Sequence, residues 1–149
     1  MAAGKWKLYD SFKLKLGQGL ILLNSHTFKV ALFSSSSNAN DLTHDELADL
    51  TNQVANGNGY TTGGATLGTV TWTQSTSLST FDSADISWIG SGAGFTCRYA
   101  VIYDDTVAGD PLVAICVMDS SDVVVAASKE LLITIDASGI FGLSGATSD

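Results

Sequence analysis

The chain of 149 residues and 15.5 kDa has room for one domain, and a chain of this length buries roughly 68–70% of the surface its unfolded form exposes. Apolar residues make up 45% and charged residues 15%, well under the ~25% charged of an average domain, which excludes intrinsic disorder. The net charge of −8 is segregated: residues 1–29 carry Lys5, Lys7, Lys13, Lys15 and Lys29 against Asp10 alone, while the remainder carries Arg98 and Lys129 against fourteen acids, a balance unsuited to neutralising the phosphates of nucleic acid.

In chain order, the first segment carries two periods at once. Trp6, Leu8, Phe12, Leu14 and Leu16 alternate as in a strand, while Leu8, Phe12 and Leu16 fall at i, i+4 and i+8 as in a helix. Gly17 supplies a stop and Lys13 and Lys15 suit a C-terminal turn, so a short amphipathic helix over residues 9–16 is expected. Residues 20–23 read as a brief apolar strand, Asn24-Ser25 as a turn, 27–33 as a strand and 34–40 as a polar loop. Thr43 and Glu46 have capping-box spacing ahead of Leu47 and Leu50, which predicts a short helix over 43–50. Asn56-Gly57-Asn58-Gly59 and Gly63-Gly64 permit the positive φ of tight turns, with Tyr60 as an anchoring aromatic.

A strand over 70–73, a hydroxyl-rich loop and a strand over 86–89 follow. Over 95–103, Phe95, Cys97, Tyr99, Val101 and Tyr103 share one face and Ala100 and Ile102 make the other apolar too, the pattern of a central strand buried on both faces. Asp104-Asp105 and Asp110-Pro111 bracket a turn, 112–118 returns as the hairpin partner, 123–127 and 131–135 form a further expected pair, and 139–143 closes the chain. The expected fold is mainly β: an antiparallel β-sandwich or jelly-roll-like single domain over 1–149 with one or two short helices. Cys97 and Cys116 lie in apolar strands and are expected as free buried thiols. No apolar run reaches the ~18 residues that span a bilayer, and charges interrupt the N-terminus as they do not in a signal peptide. A soluble chain of the reducing cytosol, with no membrane partner, is expected.

Chemistry-bearing patterns are sparse. His26 and His44 are the near-neutral bases, neither lies in a nucleophile motif, and Gly90-Ser91-Gly92 reads as a turn rather than a nucleophile elbow. Asp82 with Asp85, and Asp104 with Asp105, read as turn caps ahead of paired carboxylates or calcium ligands. The stretch 58–64 lacks the Lys-Ser/Thr of a phosphate loop. No catalytic, cofactor or metal site is expected, and Trp6, Tyr60, Trp72, Trp88, Tyr99 and Tyr103 read as core rather than as a stacking platform.

One ordered set of motifs remains. It comprises Ser25-His26-Thr27-Phe28-Lys29-Val30-Ala31-Leu32-Phe33, then Gly59-Tyr60-Thr61-Thr62-Gly63-Gly64-Ala65-Thr66-Leu67, Phe81-Asp82, Asp85-Ile86-Ser87-Trp88, Arg98-Tyr99-Ala100-Val101-Ile102-Tyr103-Asp104-Asp105 and Pro111-Leu112. The pattern, extending loosely over residues 8–143, resembles a widespread group of small virion structural proteins of tailed bacteriophages, similar to capsid decoration or cement proteins. The resemblance implies a non-enzymatic protein on the capsid exterior, assembled in the host bacterial cytoplasm, that binds and stabilises the major capsid protein shell as a dimer or trimer. A tail, neck or head-fibre structural protein and a carbohydrate-binding adaptor are the alternatives. Low charge suits burial in large interfaces, where each unpaired buried charge costs several kcal/mol. The basic segment 1–20 has its own apolar set, which makes Trp6, Lys7, Leu8, Phe12, Lys13 and Lys15 the candidate partner-contacting residues; the alternative is that 6–16 packs on its own β-domain.

Overall fold

In the computed structural model, which describes residues 4–145, the chain runs β1 (Trp6–Leu8), α1 (Asp10–Gly17), β2 (Phe28–Phe33), a 3-10 turn (Leu47–Asp49), β3 (Ala65–Thr66), β4 (Thr71–Ser75), β5 (Leu78–Asp82), β6 (Ile86–Ile89), β7 (Phe95–Cys97), β8 (Tyr99–Asp104), β9 (Leu112–Val117), β10 (Val123–Val125), β11 (Glu130–Ile133) and β12 (Phe141–Ser144). The last eight strands pair first with last, all antiparallel: β8 with β9, β7 with β10, β6 with β11 and β5 with β12. Leu78 consequently lies opposite Ser144, Ile86 opposite Ile133, Phe95 opposite Val125 and Val101 opposite Ile115. This is one long hairpin rolled on itself, the jelly-roll-like, mainly β fold expected from the sequence.

The inner sheet has the order β1-β9-β8-β2-β3, so β8 is central, and β8 and β9 are buried along nearly their whole length. Phe28 of β2 meets Phe81 of β5 edge to face at 5.2 Å, and Phe81 meets Phe141 of β12 at 5.6 Å, joining the inner sheet to the β12-β5-β4 sheet. At the N-terminal edge, the Tyr9 hydroxyl just after β1 donates to the Ala39 carbonyl at 2.6 Å and Lys7 Nζ of β1 donates to Asn40 Oδ1 at 3.3 Å, which ties residues 39–40 of the 34–54 segment to β1. In β6, β7 and β10 buried and exposed residues alternate, as in a sheet with one face on the core.

β3 is only two residues long, and loop groups replace a strand along the rest of the β2 edge. Tyr60 Oη accepts from Leu32 N–H at 3.0 Å and donates to Gln53 Oε1 at 3.2 Å, while Val54 N–H donates to the Leu32 carbonyl at 2.9 Å. Gly64, with φ +79°, lies so close to Val30 that a Cβ would collide with its carbonyl oxygen. Positive φ at Gly57, Asn58, Gly59 and Gly63 matches the turns read from the sequence.

Several expected boundaries differ, each for a tertiary reason. The 6–16 segment is both strand and helix: Tyr9, at φ −67° and ψ 149°, is still extended and the helical period starts only after it. Residues 20–23 are not a strand, because their backbone bonds close turns, with Leu20 N–H donating to the Lys15 carbonyl and His26 N–H to the Leu22 carbonyl. The 43–50 helix shrinks to a single 3-10 turn capped by Glu46 and Asp49 rather than by Thr43 and Glu46. Glu46 is instead extended and bridged to Pro111, with Leu47 N–H donating to the Asp110 carbonyl and Leu112 N–H to the Asp45 carbonyl. The hydroxyl-rich loop contains β5, and the 95–103 run divides at Arg98, whose N–H donates to Phe33 while its carbonyl accepts from Met118. Residues 123–127 and 131–135 do not pair with each other; they pair with β7 and β6.

Candidate functional site

Cross-strand register puts Trp72, Phe81 and Phe141 in one row on β4, β5 and β12, with Leu143 two residues on along the same face. Phe81 is fully buried, Trp72 and Phe141 are half-buried, and Leu143 is exposed. Facing this row is α1. Phe12 is fully buried with its ring edge-on to Phe141 at 5.5 Å and 78°, and Leu16, one turn further, is half-buried. Between the two elements lies a groove of about 470 Å³, walled by Leu8, Phe12, Leu16, Trp72, Phe141 and Leu143, with Lys13 on its lining.

The helix is fixed here by charge and backbone bonds. Asp10 stands in its first turn and Lys15 in its last, the signs that complement the helix dipole. Asp10 N–H donates to the Leu42 carbonyl at 3.0 Å, and Lys15 Nζ reaches Asp45 Oδ1 at 2.7 Å. The hydrogen bond from Lys15 holds the Asp45 carboxyl below the usual carboxylate range. Lys13 pairs more loosely with Asp10, at 3.4 Å and on the surface.

The six residues singled out in the N-terminal segment divide by position. Leu8, Phe12 and Lys13 come together in the groove. Trp6 lines a neighbouring cavity of about 430 Å³ that also contains Phe141 and Asp136. Lys7 and Lys15 turn to Asn40 and Asp45 of the 34–54 segment. Phe12 is spent wholly on its own domain, and β1 is a paired edge strand of the inner sheet, with Trp6 opposite Cys116 and Leu8 opposite Ala114. The opposite wall was missed from sequence. Trp72 sits in a threonine-rich run, and Phe141 with Leu143 give only two alternating apolar positions; the register between distant strands is what joins them.

The remaining chemistry-bearing residues hold structure. His26 Nδ1 lies 2.6 Å from Asp104 Oδ2, and Asp104 Oδ1 accepts from Thr106 N–H at 2.9 Å. Asp82 caps Ser83 N–H at 2.8 Å, while Asp85 accepts from the distant Ile135 N–H at 2.8 Å rather than from its own turn. His44 Nε2 lies 3.0 Å from Asn38 Nδ2, and Asp105 pairs with Lys29 at 3.2 Å. Cys97 and Cys116 are free and buried, and burial pushes their thiols up to about 12 and about 11. Tyr60, Trp88 and Tyr103 belong to the core, and Trp6, Trp72 and Tyr99 pack against it. Among the described residues no group of three or more His, Cys, Asp or Glu side chains is placed to hold a metal ion, and no helix is long and apolar enough to cross a membrane. No protein-family model, curated protein or solved structure matches this chain.

Proposed function

We propose that the protein is a non-enzymatic virion structural protein of a tailed bacteriophage: a capsid decoration protein that binds the major capsid protein and stabilises the shell. The observation that carries this reading is the open apolar groove between α1 and β12. Its walls contain Trp72 and Phe141, side chains of the large, stiff kind that anchor interfaces. Lys13 adds a charge that guides encounter with an acidic surface more than it adds affinity. The virion assignment comes from the ordered motifs that resemble phage structural proteins, and copies joined as a dimer or trimer multiply weak contacts into avidity.

Two groove variants, Leu16→Asp and Leu143→Asp, test the docking surface: Leu143 is exposed, and Leu16 retains solvent contact while packing partly against the core. Each is expected to keep the parent circular dichroism spectrum and to bind shells stripped of the protein about tenfold or more weakly, a loss of ~1.4 kcal/mol or more. Parental shell binding by both variants rules out the groove. Immunogold labelling of particles released by the host that carries the gene tests the virion itself: absence of label from purified particles overturns the reading.

A further inference from the structure

A separate concavity of about 290 Å³ opens beside the edge of β2, where residues 52–58 meet the turn leading into β7. Three carboxamides line it, Asn52, Gln53 and Asn58, together with Ser34, Thr96 and the largely buried Phe95. Each carboxamide is held at one end by a backbone group, which fixes its orientation because an N–H only donates and a carbonyl only accepts. Gln53 Oε1 accepts from Gly63 N–H at 2.7 Å and Asn58 Oδ1 from Ala93 N–H at 3.3 Å. Asn52 Nδ2 donates to the Ser36 carbonyl at 3.0 Å. The other ends, Gln53 Nε2, Asn58 Nδ2 and Asn52 Oδ1, have no protein partner among the described residues.

Asn52 and Asn58 also hold positive φ, 58° and 54°, a conformation asparagine tolerates and one that sets the direction of each side chain. The lining contains no charged side chain. The lining thus carries three carboxamides, each anchored at one end to the backbone and free at the other, and two hydroxyl side chains. An anion or cation would lose its hydration there without a counter-charge. Adjacent hydroxyls of a sugar, each donor and acceptor, match such a set of neutral polar groups. The volume lies just below the roughly 300–1,000 Å³ of small-molecule sites, which favours a single ring over a chain.

We propose that this pocket binds one neutral sugar residue, held by the free ends of Asn52, Gln53 and Asn58. The proposal is independent of the capsid reading and of the groove. Asn58→Asp and Gln53→Glu test it, since each keeps the oxygen that accepts the backbone N–H and replaces the free amide donor with an acceptor. The full chain, labelled with ¹⁵N, is titrated with glucose, galactose, mannose, rhamnose and N-acetylglucosamine at millimolar concentrations. At least one sugar is expected to shift the amides of Asn58, Ala93 and Thr96, and each variant that keeps the parent spectrum is expected to weaken that sugar about tenfold or more. Should Gln53→Glu disturb the Tyr60 network, Asn58→Asp decides alone. The proposal is overturned if no sugar shifts these amides, if the shifts centre on Trp72 and Phe141 instead, or if Asn58→Asp binds as the parent does.

Discussion

Among the described residues Asp104 is the charged side chain with none of its surface exposed. It ends β8, and its two oxygens take His26 and the Thr106 N–H, tying the loop before β2 to the turn before β9. Replacing it with Ala removes the acceptor of the Thr106 N–H and the partner of His26, at about 0.5–1.5 kcal/mol for each hydrogen bond lost, readable as a lower urea midpoint. Asp110 behaves in the opposite sense. Burial first, then Asp105, raises its pKa. A folded-state value above the unfolded ~3.9 favours the fold below that pH, and the benefit is lost as pH rises through the folded value. Asp110→Asn is therefore expected to raise the melting temperature at neutral pH and to leave it unchanged near pH 3. Asp45 has the lowered pKa of a carboxylate bonded to Lys15, so its contribution is present above about pH 4 and fades as pH falls through the folded value. The two thiols, buried and pushed to about 12 and about 11, are expected to resist iodoacetamide near pH 8 until the protein unfolds, as mass spectrometry would show.

At the level of elements, the N-terminal segment separates what periodicity can and cannot say. Each period in residues 6–16 holds over only part of the segment: Trp6 and Leu8 share a face of β1, and Phe12 and Leu16 share a face of α1, while Leu14 falls on the exposed side of the helix. What one-dimensional pattern could not show was the change of period at Tyr9. Phe12→Ala is expected to cost about 3–5 kcal/mol, whereas Leu14→Ala, at a position 62% exposed, stays within about 0.5 kcal/mol; paired denaturation curves check the contrast. β2, β6 and β9 were legible because apolar residues mark their buried positions. β5 was not, since Phe81 is its only fully core-facing side chain amid Ser79, Thr80 and Asp82. The pairing of β10 and β11 was misread because nearness in sequence suggests a hairpin, while the partners of Val123 and Leu131 are Cys97 and Trp88.

Across the whole molecule, the motifs that carry the phage resemblance map mostly to the interior and its latches: β2, the Tyr60 turn, Phe81, Trp88 and β8. They speak for the fold class, which the strand pattern alone also reached. The groove was half legible, because Leu8, Phe12 and Lys13 share a local segment while Trp72, Phe141 and Leu143 arrive from strands joined only by register.

The rolled hairpin also bears on how the protein comes into being. Its apex is the turn between β8 and β9, and each pair outward from it closes a longer span, ending with Leu78 against Ser144. Every such closure must meet its entropy before the contact rewards it, so the chain is expected to fold in milliseconds to seconds, as non-local β topologies do. Assembly should zip outward, with the amides of Val101 and Ile115 protected from pulsed hydrogen exchange before those of Trp88 and Leu131. On the ribosome, β5 must wait for β12, the last strand of the described chain to emerge, so a nascent chain keeps that edge open to chaperones until residues 141–144 have left the exit tunnel.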